Sequence, residues 1–364
     1  SRRQRQMCIR DRFEALLGLI YAGCYLKNME KFIEPATMAL ADECHHLLNN
    51  EEIVSSRNPQ EFLNIFTILI WAKLALKDSN WNPSSTHLAT IEKLAPILRS
   101  LRHSDAGLPR FHGSCGDVDG QLDQALSNAE SREISPIEKS VGFVKLSNSR
   151  TTIIIDAAPP PMGKKAVKAD ASTLAFEMVS GQRRIFTSCG PGYLFGSNLS
   201  SASRQTSSHC VVYIDNHNSS QFSDKESWLE IPKKVIINGP RNVPKEISND
   251  QGICIFEGAH DGYVKSHGLT HVRKLKLAQD GQTFEGEDLI IAIEDSHKRQ
   301  FDKISKKTSR GSLSVKAAFH LHPDVTLRWD QKNNFISLAL KNGEVWIFNY
   351  SSDLNLELEP TVFF

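Results

Sequence analysis

Apolar residues recur every three to four positions through the first third of the chain. Phe13, Leu16, Leu17, Ile20 and Cys24, widened by Leu19, form one stripe, and Met38, Leu40, Ala41, Cys44 and Leu47 form a second after Pro35. A third runs from Pro59 to Leu76, with proline at the first helical position, and a fourth from Thr86 to Leu101, ending before the loop Arg102–Pro109. These spacings predict helices joined by short connections, hence antiparallel hairpins. Each stripe is too apolar to stand alone, so the hairpins must stack on one another or on further helices.

Beyond about Pro136 the period falls to two. Val141–Leu146, Thr151–Asp156, Thr173–Val179, Arg184–Ser188 and Cys210–Asp215 read as strands separated by Gly, Pro, Ser and Asn clusters. Lys234–Ile237, Gly252–Glu257, Thr270–Leu277, Asp288–Glu294, Ser312–His322, Phe335–Leu340 and Glu344–Tyr350 continue the series. Ser180-Gly181 and Asn342-Gly343 read as hairpin turns, the latter as type I′. Pro159–Ala169 and the basic run Lys303–Arg310 read as exposed loops. With no helical pattern between the strands, the expected fold class is α+β and multidomain: helical hairpins over 12–132, then a large antiparallel β-sandwich over 137–364.

Composition narrows the class. The chain has 364 residues, with 43 Lys and Arg against 42 Asp and Glu, a net charge of +1. That balance argues against a nucleic-acid partner, which usually calls for a basic excess or stripe. No apolar run approaches the roughly 18 residues of a membrane-spanning helix. Residues 1–11 (SRRQRQMCIRD) lack the apolar core of a secretory signal, and MCIRD resembles translated sequencing-adapter read-through, so 1–11 is expected to be a non-native scar rather than a basic tail. The apolar end PTVFF likewise suggests a fragment. Six cysteines remain beyond Cys8, without a CxxC pair, so neither a disulfide framework nor a zinc ribbon is expected. Dinucleotide, P-loop, zincin and nucleophile-elbow motifs are all missing.

Several strings carry a more specific message. In order they are Arg57-Asn58-Pro59, Leu101–Gly113 (LRHSDAGLPRFHG), Ala171–Glu177 (ASTLAFE), Arg204–His209 (RQTSSH), His260–Tyr263 (HDGY), Gly286-Glu287-Asp288 and Phe319–Pro323 (FHLHP). Together with the helix-then-strand order they resemble the heparinase II/III family of polysaccharide lyases. The resemblance implies an incomplete α/α toroid followed by the sandwich, a site in the cleft between them, and a bacterial periplasm or cell-envelope setting. It also implies β-elimination on an acidic, uronate-containing polysaccharide of heparin, heparan or alginate type. That reaction removes the weakly acidic C5 proton, so it needs a donor on the uronate carboxylate, a base, and an acid for the leaving oxygen.

The candidate catalytic residues are therefore Arg57, Asn58, His112, Arg204 and His209, expected to converge on one cleft. Arg57 and Asn58 sit at a helix start, where they suit a sugar carboxylate; alternatively Asn58 caps the helix beginning at Pro59. His112 lies in the Gly-rich loop Phe111–Gly116, reaching the cleft or lying at the surface. Arg204, Arg57, Tyr263 and His260 are the candidate substrate-binding residues, although HDGY also reads as a turn that positions the sandwich. His320 and His322 share a strand face and read as structural. In zinc-containing members the counterpart of His209 is a ligand; here Asp170 and Ser188 stand at the other ligand positions, so no cofactor is expected, with His209 and Asp170 the weak metal candidates. Those replacements, with Val54 where related sequences often carry histidine, leave a second reading: a catalytically degenerate carbohydrate-binding or envelope-polysaccharide-processing protein of the same fold.

Overall fold

The computed structural model describes residues 9–49, 56–116, 120–129, 141–163, 167–223, 235–307, 313–333, 335–351 and 353–364. The scar reading of residues 1–8, Val54, the change of period near 136, and the far end of the basic run at 308–310 lie outside these residues; Ile9–Asp11 form the first turn of a helix.

The helical half contains α1 (Ile9–Tyr25), α2 (Ile33–Asn49), α3 (Pro59–Asp78), α4 (Ser85–Leu101) and the short α5 (Gln121–Ser127). All four predicted helices are present. α1 packs on α2 and α3, and α4 packs on α2 and α3. α3 is the central helix, buried on nearly every face, which is why its sequence shows no clean polar stripe. Asn58 starts it: the side-chain oxygen accepts from the amides of Gln60 at 2.9 Å and Glu61 at 3.2 Å. Asn80, at φ 59°, ends it in the left-handed conformation. Asn58→Ala is expected to lower stability by about 1 kcal/mol, read from the urea midpoint.

The second half is built on two four-stranded antiparallel sheets. The first runs in order through β1 (Phe143–Asn148), β2 (Thr151–Asp156), β3 (Phe176–Ser180) and β4 (Arg183–Phe186). The second contains β8 (Lys245–Asp250), β9 (Ile253–Tyr263), β10 (Leu269–Leu277) and β11 (Phe284–Ile291), with β11 and β8 at its edges. Small pairings of β5 (Val212–Ile214) with β12 (Val315–Ala317) and of β6 (Gln221–Phe222) with β7 (Ile236–Asn238) flank them. A meander of β13 (Thr326–Asp330), β14 (Phe335–Ala339) and β15 (Val345–Phe348) completes the half. Val144, Ile153, Ile155, Phe176 and Met178 of the first sheet share a core with Phe256, Leu275 and Leu277 of the second.

β2 explains how the halves join. Every one of its residues is buried. Ile153 and Ile155 face the sandwich core while Ile154, on the opposite face, belongs to the helical core with Phe143, Ala175 and Val211. A strand covered on both sides has no reason to alternate, hence the unbroken apolar run.

The structure corrects several sequence expectations. Asp295–Lys307 is a helix, with Val264–His267 and Ser197–Ala202 as shorter ones, although strands alone were expected after residue 136. Its residues Lys303–Lys307 include much of the basic run read as a loop. The Asn342-Gly343 turn is not type I′: Gly343 alone has positive φ, and its amide donates to Leu340 O at 3.0 Å, a type I turn closed by a left-handed glycine. Pro160, Pro161 and Ala169 are buried although their segment was read as exposed. Among the described residues, no helix is long and apolar enough to cross a membrane.

Candidate functional site

The seam between the halves is organised around buried carboxylates. Asp156, at the end of β2, is fully buried. It pairs with the Arg57 guanidinium, accepts the Ser172 hydroxyl at 2.6 Å, and lies 3.3 Å from His112 Nε2. Arg57 reaches it from the turn before α3, held at φ 48°. Its other donors go to the carbonyls of Val141 at 3.1 Å, Gly142 at 2.8 Å, Ala158 at 3.2 Å and Pro159 at 3.0 Å. A guanidinium has five N–H donors, and these bonds with Asp156 engage all of them. Burial alone would raise the Asp156 carboxyl, but Arg57, then His112 and Ser172, hold it well below the usual carboxylate range.

Arg57 is thus a clasp between the halves rather than a free carboxylate receptor, which corrects its expected substrate role. Asn58 caps α3 through Oδ1, and its Nδ2 is buried without a hydrogen-bond partner. His112 is fully buried, not at the surface. Its backbone amide donates to Asp170 Oδ2, and its Nδ1 accepts the Asp170 amide at 3.1 Å. Nδ1 is therefore the acceptor and Nε2 carries the proton toward Asp156. Burial, outweighing Asp156, lowers its pKa.

Asp170 continues the network outward. Burial pushes its carboxyl up to about 7, against the opposing effects of Arg204 and the His112 and Gly113 amides. Arg204 donates through Nε to Ala169 O at 2.7 Å and stacks 4.9 Å from the Phe222 ring. Asp170 and Arg204 line a small cleft with Gly113, Lys168, Tyr193 and Ser203. Lys168 Nζ lies 4.8 Å above the Tyr193 ring and 3.8 Å from Glu61 of α3. Gly113 has φ +85°, and a Cβ there would sit 2.7 Å from the Lys168 side chain, so this loop requires glycine.

His209 is buried and does not line the cleft. Its Nδ1 is 3.0 Å from Ser188 Oγ, its ring packs 6.2 Å from Phe111, and its Nε2 is buried without a partner. Burial, with His320 and His112 nearby, lowers its pKa to about 3, so it is neutral near pH 7. Beside it Glu177 of β3 accepts the amides of Arg110 at 3.2 Å and Ser188 at 2.9 Å, with Arg184 and His103 close. Burial raises its carboxyl despite those partners.

The candidate residues divide into two groups in the structure. Arg57, Asn58, His112, Arg204, His209 and Asp170 gather at the seam. His260 and Tyr263 do not line the cleft: both are buried in the sandwich. Tyr263 donates to Val212 O at 3.0 Å, and His260 forms a chain through His271 at 3.2 Å to Asp288 at 2.7 Å. Asp156, Glu177, Lys168 and Tyr193 were missed; the clue to Asp156 was a lone carboxylate closing an otherwise buried strand.

The two weak metal candidates, His209 and Asp170, are each partly engaged within the protein. His209 turns Nδ1 to Ser188, a hydroxyl where a ligand would stand, and Asp170 already accepts two amides. Among the described residues no three His, Cys, Asp or Glu side chains are grouped to hold an ion.

Known proteins resemble this chain in sequence or in fold. FtsZ-localized protein C of Caulobacter vibrioides (strain NA1000 / CB15N) is 26% identical over 356 residues, covering 94% of this chain and 58% of that protein. Heparinase III superposes with a TM-score of 0.62 at 14% identity, over 92% of this chain and 52% of that one. The heparan sulfate lyase HepC from Pedobacter heparinus gives 0.60 at 14% identity, over 94% and 52%. At these identities the solved structures establish likeness of fold, and this chain spans about half their length. The pattern of the heparinase II/III-like C-terminal family matches residues 136–364. By that match and the fold that carries it, the chain belongs to the heparinase II/III-like family.

Proposed function

We propose that this protein acts by β-elimination on an acidic, uronate-containing polysaccharide held at the seam cleft. In this reading the helices belong to an incomplete α/α toroid and the protein works in the bacterial periplasm or cell envelope. The observation that carries the reading is the Asp170 carboxyl with a pKa of about 7, beside Arg204 and in one cleft with Lys168 and Tyr193. Elimination needs cations to neutralise the uronate carboxylate, and Arg204 and Lys168 supply them. It needs a group that exchanges a proton near neutral pH, and Asp170 is tuned for that. Tyr193 adds a hydroxyl for the leaving oxygen.

A second reading, a glycan-binding protein without turnover, is favoured by a separate observation. His112 and His209 are sealed from solvent and Arg57 is fully engaged within the protein. The relative from Caulobacter vibrioides is named for its place with FtsZ, not for a lyase activity. This fits an envelope-polysaccharide-processing partner.

The test is incubation with heparin, heparan sulfate and alginate while following the absorbance of the unsaturated product. Product is expected, with turnover falling about 100-fold or more in Asp170→Asn, the scale of a lost general acid–base group. Binding without product, abolished by Arg204→Met, would replace the lyase with the second reading. Neither binding nor product would overturn both.

A further inference from the structure

Next to Ser188, one thiol is arranged differently from the others. Cys189 follows β4 in the irregular segment Ser188–Gly190, and its Sγ lies 3.6 Å from Nδ1 of His320. The imidazole is fixed by its other nitrogen: Nε2 is 2.7 Å from Ser207 O, an acceptor, so Nε2 carries the proton and Nδ1 presents its lone pair to the thiol. The Thr361 hydroxyl lies 3.5 Å from the sulfur and 3.3 Å from Nδ1. The segment around Thr361 covers the pair, with the Phe364 amide donating to Cys189 O at 2.8 Å and Phe363 over Arg110 at 4.2 Å. Cys189 keeps 6% of its surface exposed.

We propose that Cys189 and His320 form a nucleophilic thiol–imidazole pair, making Cys189 a modification site for hydrogen peroxide. A base on the thiol, itself oriented by a third group, is the geometry of an activated nucleophile. The groups facing the sulfur are His320 from the segment before β13, Arg110 from the connector after α4, and Cys210 before β5. Burial opposes ionisation of Cys189, but His320, Thr361 and Arg110 overcome it and hold the thiol below its ordinary value. His320 is raised in turn by Cys189, against its own burial. The two titrate as a pair.

The reaction balances without a further reagent. The proton passes from Sγ to His320 Nδ1, and the thiolate attacks one oxygen of the peroxide. The S–O bond forms as the O–O bond breaks, oxidising sulfur to the sulfenic acid. The departing oxygen leaves as hydroxide, takes the proton from the imidazolium, and is released as water. Small size suits peroxide to a thiol this well covered. None of this depends on the polysaccharide reading.

The test treats the reduced full chain with limiting hydrogen peroxide and dimedone, and maps adducts by peptide mass spectrometry. Cys189 is expected to be labelled first, ahead of the more exposed Cys24, Cys115 and Cys254. His320→Gln is expected to slow Cys189 at least tenfold while leaving Cys254 unchanged. The wild-type rate, measured against pH, should reach half its maximum below the ordinary thiol pKa, a readout that needs no variant. Labelling of Cys189 no faster than Cys254, an unchanged rate in His320→Gln, or the pH profile of an ordinary thiol would each overturn the proposal.

Discussion

Asp156→Ala is expected to destabilise the protein by about 3–5 kcal/mol, the scale of breaking one side of a buried ion pair. The loss is large because of what stays behind. Arg57 is held by four carbonyls, so removing the carboxylate leaves a guanidinium buried without its counterion. His112 loses its acidic neighbour and Ser172 its acceptor at the same time. Urea unfolding reads the change as a lower midpoint. Pairing Asp156→Ala with Arg57→Met should give less than the sum of the two single losses, because the charge that made each costly is then gone. The sign with pH follows from the lowered carboxyl. Its contribution is fully present above the ordinary carboxylate range and is lost only as pH falls below that range toward the folded-state value.

Acid is expected to weaken the fold much earlier, by a different set of groups. Burial lowers His87 to about 4 and His103 and His209 to about 3, against an unfolded value near 6.5. A group lowered on folding gives stability that is complete above its unfolded pKa and lost as pH falls toward the folded one. Near pH 5 these three bind almost three more protons when the chain unfolds. Asp170 works the other way: raised to about 7, it binds a proton in the folded protein that the unfolded chain releases. For these four groups the balance is roughly two protons taken up on unfolding, which contributes a loss of about 3 kcal/mol per pH unit as pH falls around pH 5. His112, His260 and His271 are also lowered and act in the same direction, while Glu177, raised, opposes them. Urea midpoints at pH 7, 6 and 5 measure the slope. A midpoint independent of pH over that range would show that these histidines are not buried neutral.

What the sequence made legible was local. Pro59 after Asn58 announced the start of α3, and the runs before and after Ser149 announced β1 and β2, because caps and strand periods are written in neighbouring residues. The polar strand Lys245–Asp250 was lost because an exposed edge strand has little apolar pattern to offer. The helix Asp295–Lys307 was lost because only Phe301 and Ile304 mark its inner face. The site shows the same division. Arg204, His209 and Asp170 were found through strings that resemble a family. Asp156 and Glu177 carry their meaning in partners from distant segments: Arg57 is 99 residues from Asp156, and the Arg110 amide is 67 from Glu177. Those separations leave no trace in any window of sequence. Whether His112 reaches the cleft or lies at the surface stayed open for the same reason, since a glycine-rich loop looks exposed until the strand that buries it is known.

The Arg57 clasp also bears on where this protein can be divided. The family pattern begins at residue 136, and a cut there would seem to release a self-sufficient β half. It would take Arg57 and His112 from Asp156 and the Arg110 amide from Glu177, stranding two carboxylates that are 0% and 1% exposed. It would also uncover the face of β2 and β1 on which Ile154 and Phe143 meet the helices. The border at 136 marks where a shared sequence pattern starts. The contacts of the sandwich run back to the turn before α3, and shorter versions would carry the motif without the counter-charges that let it stay dry.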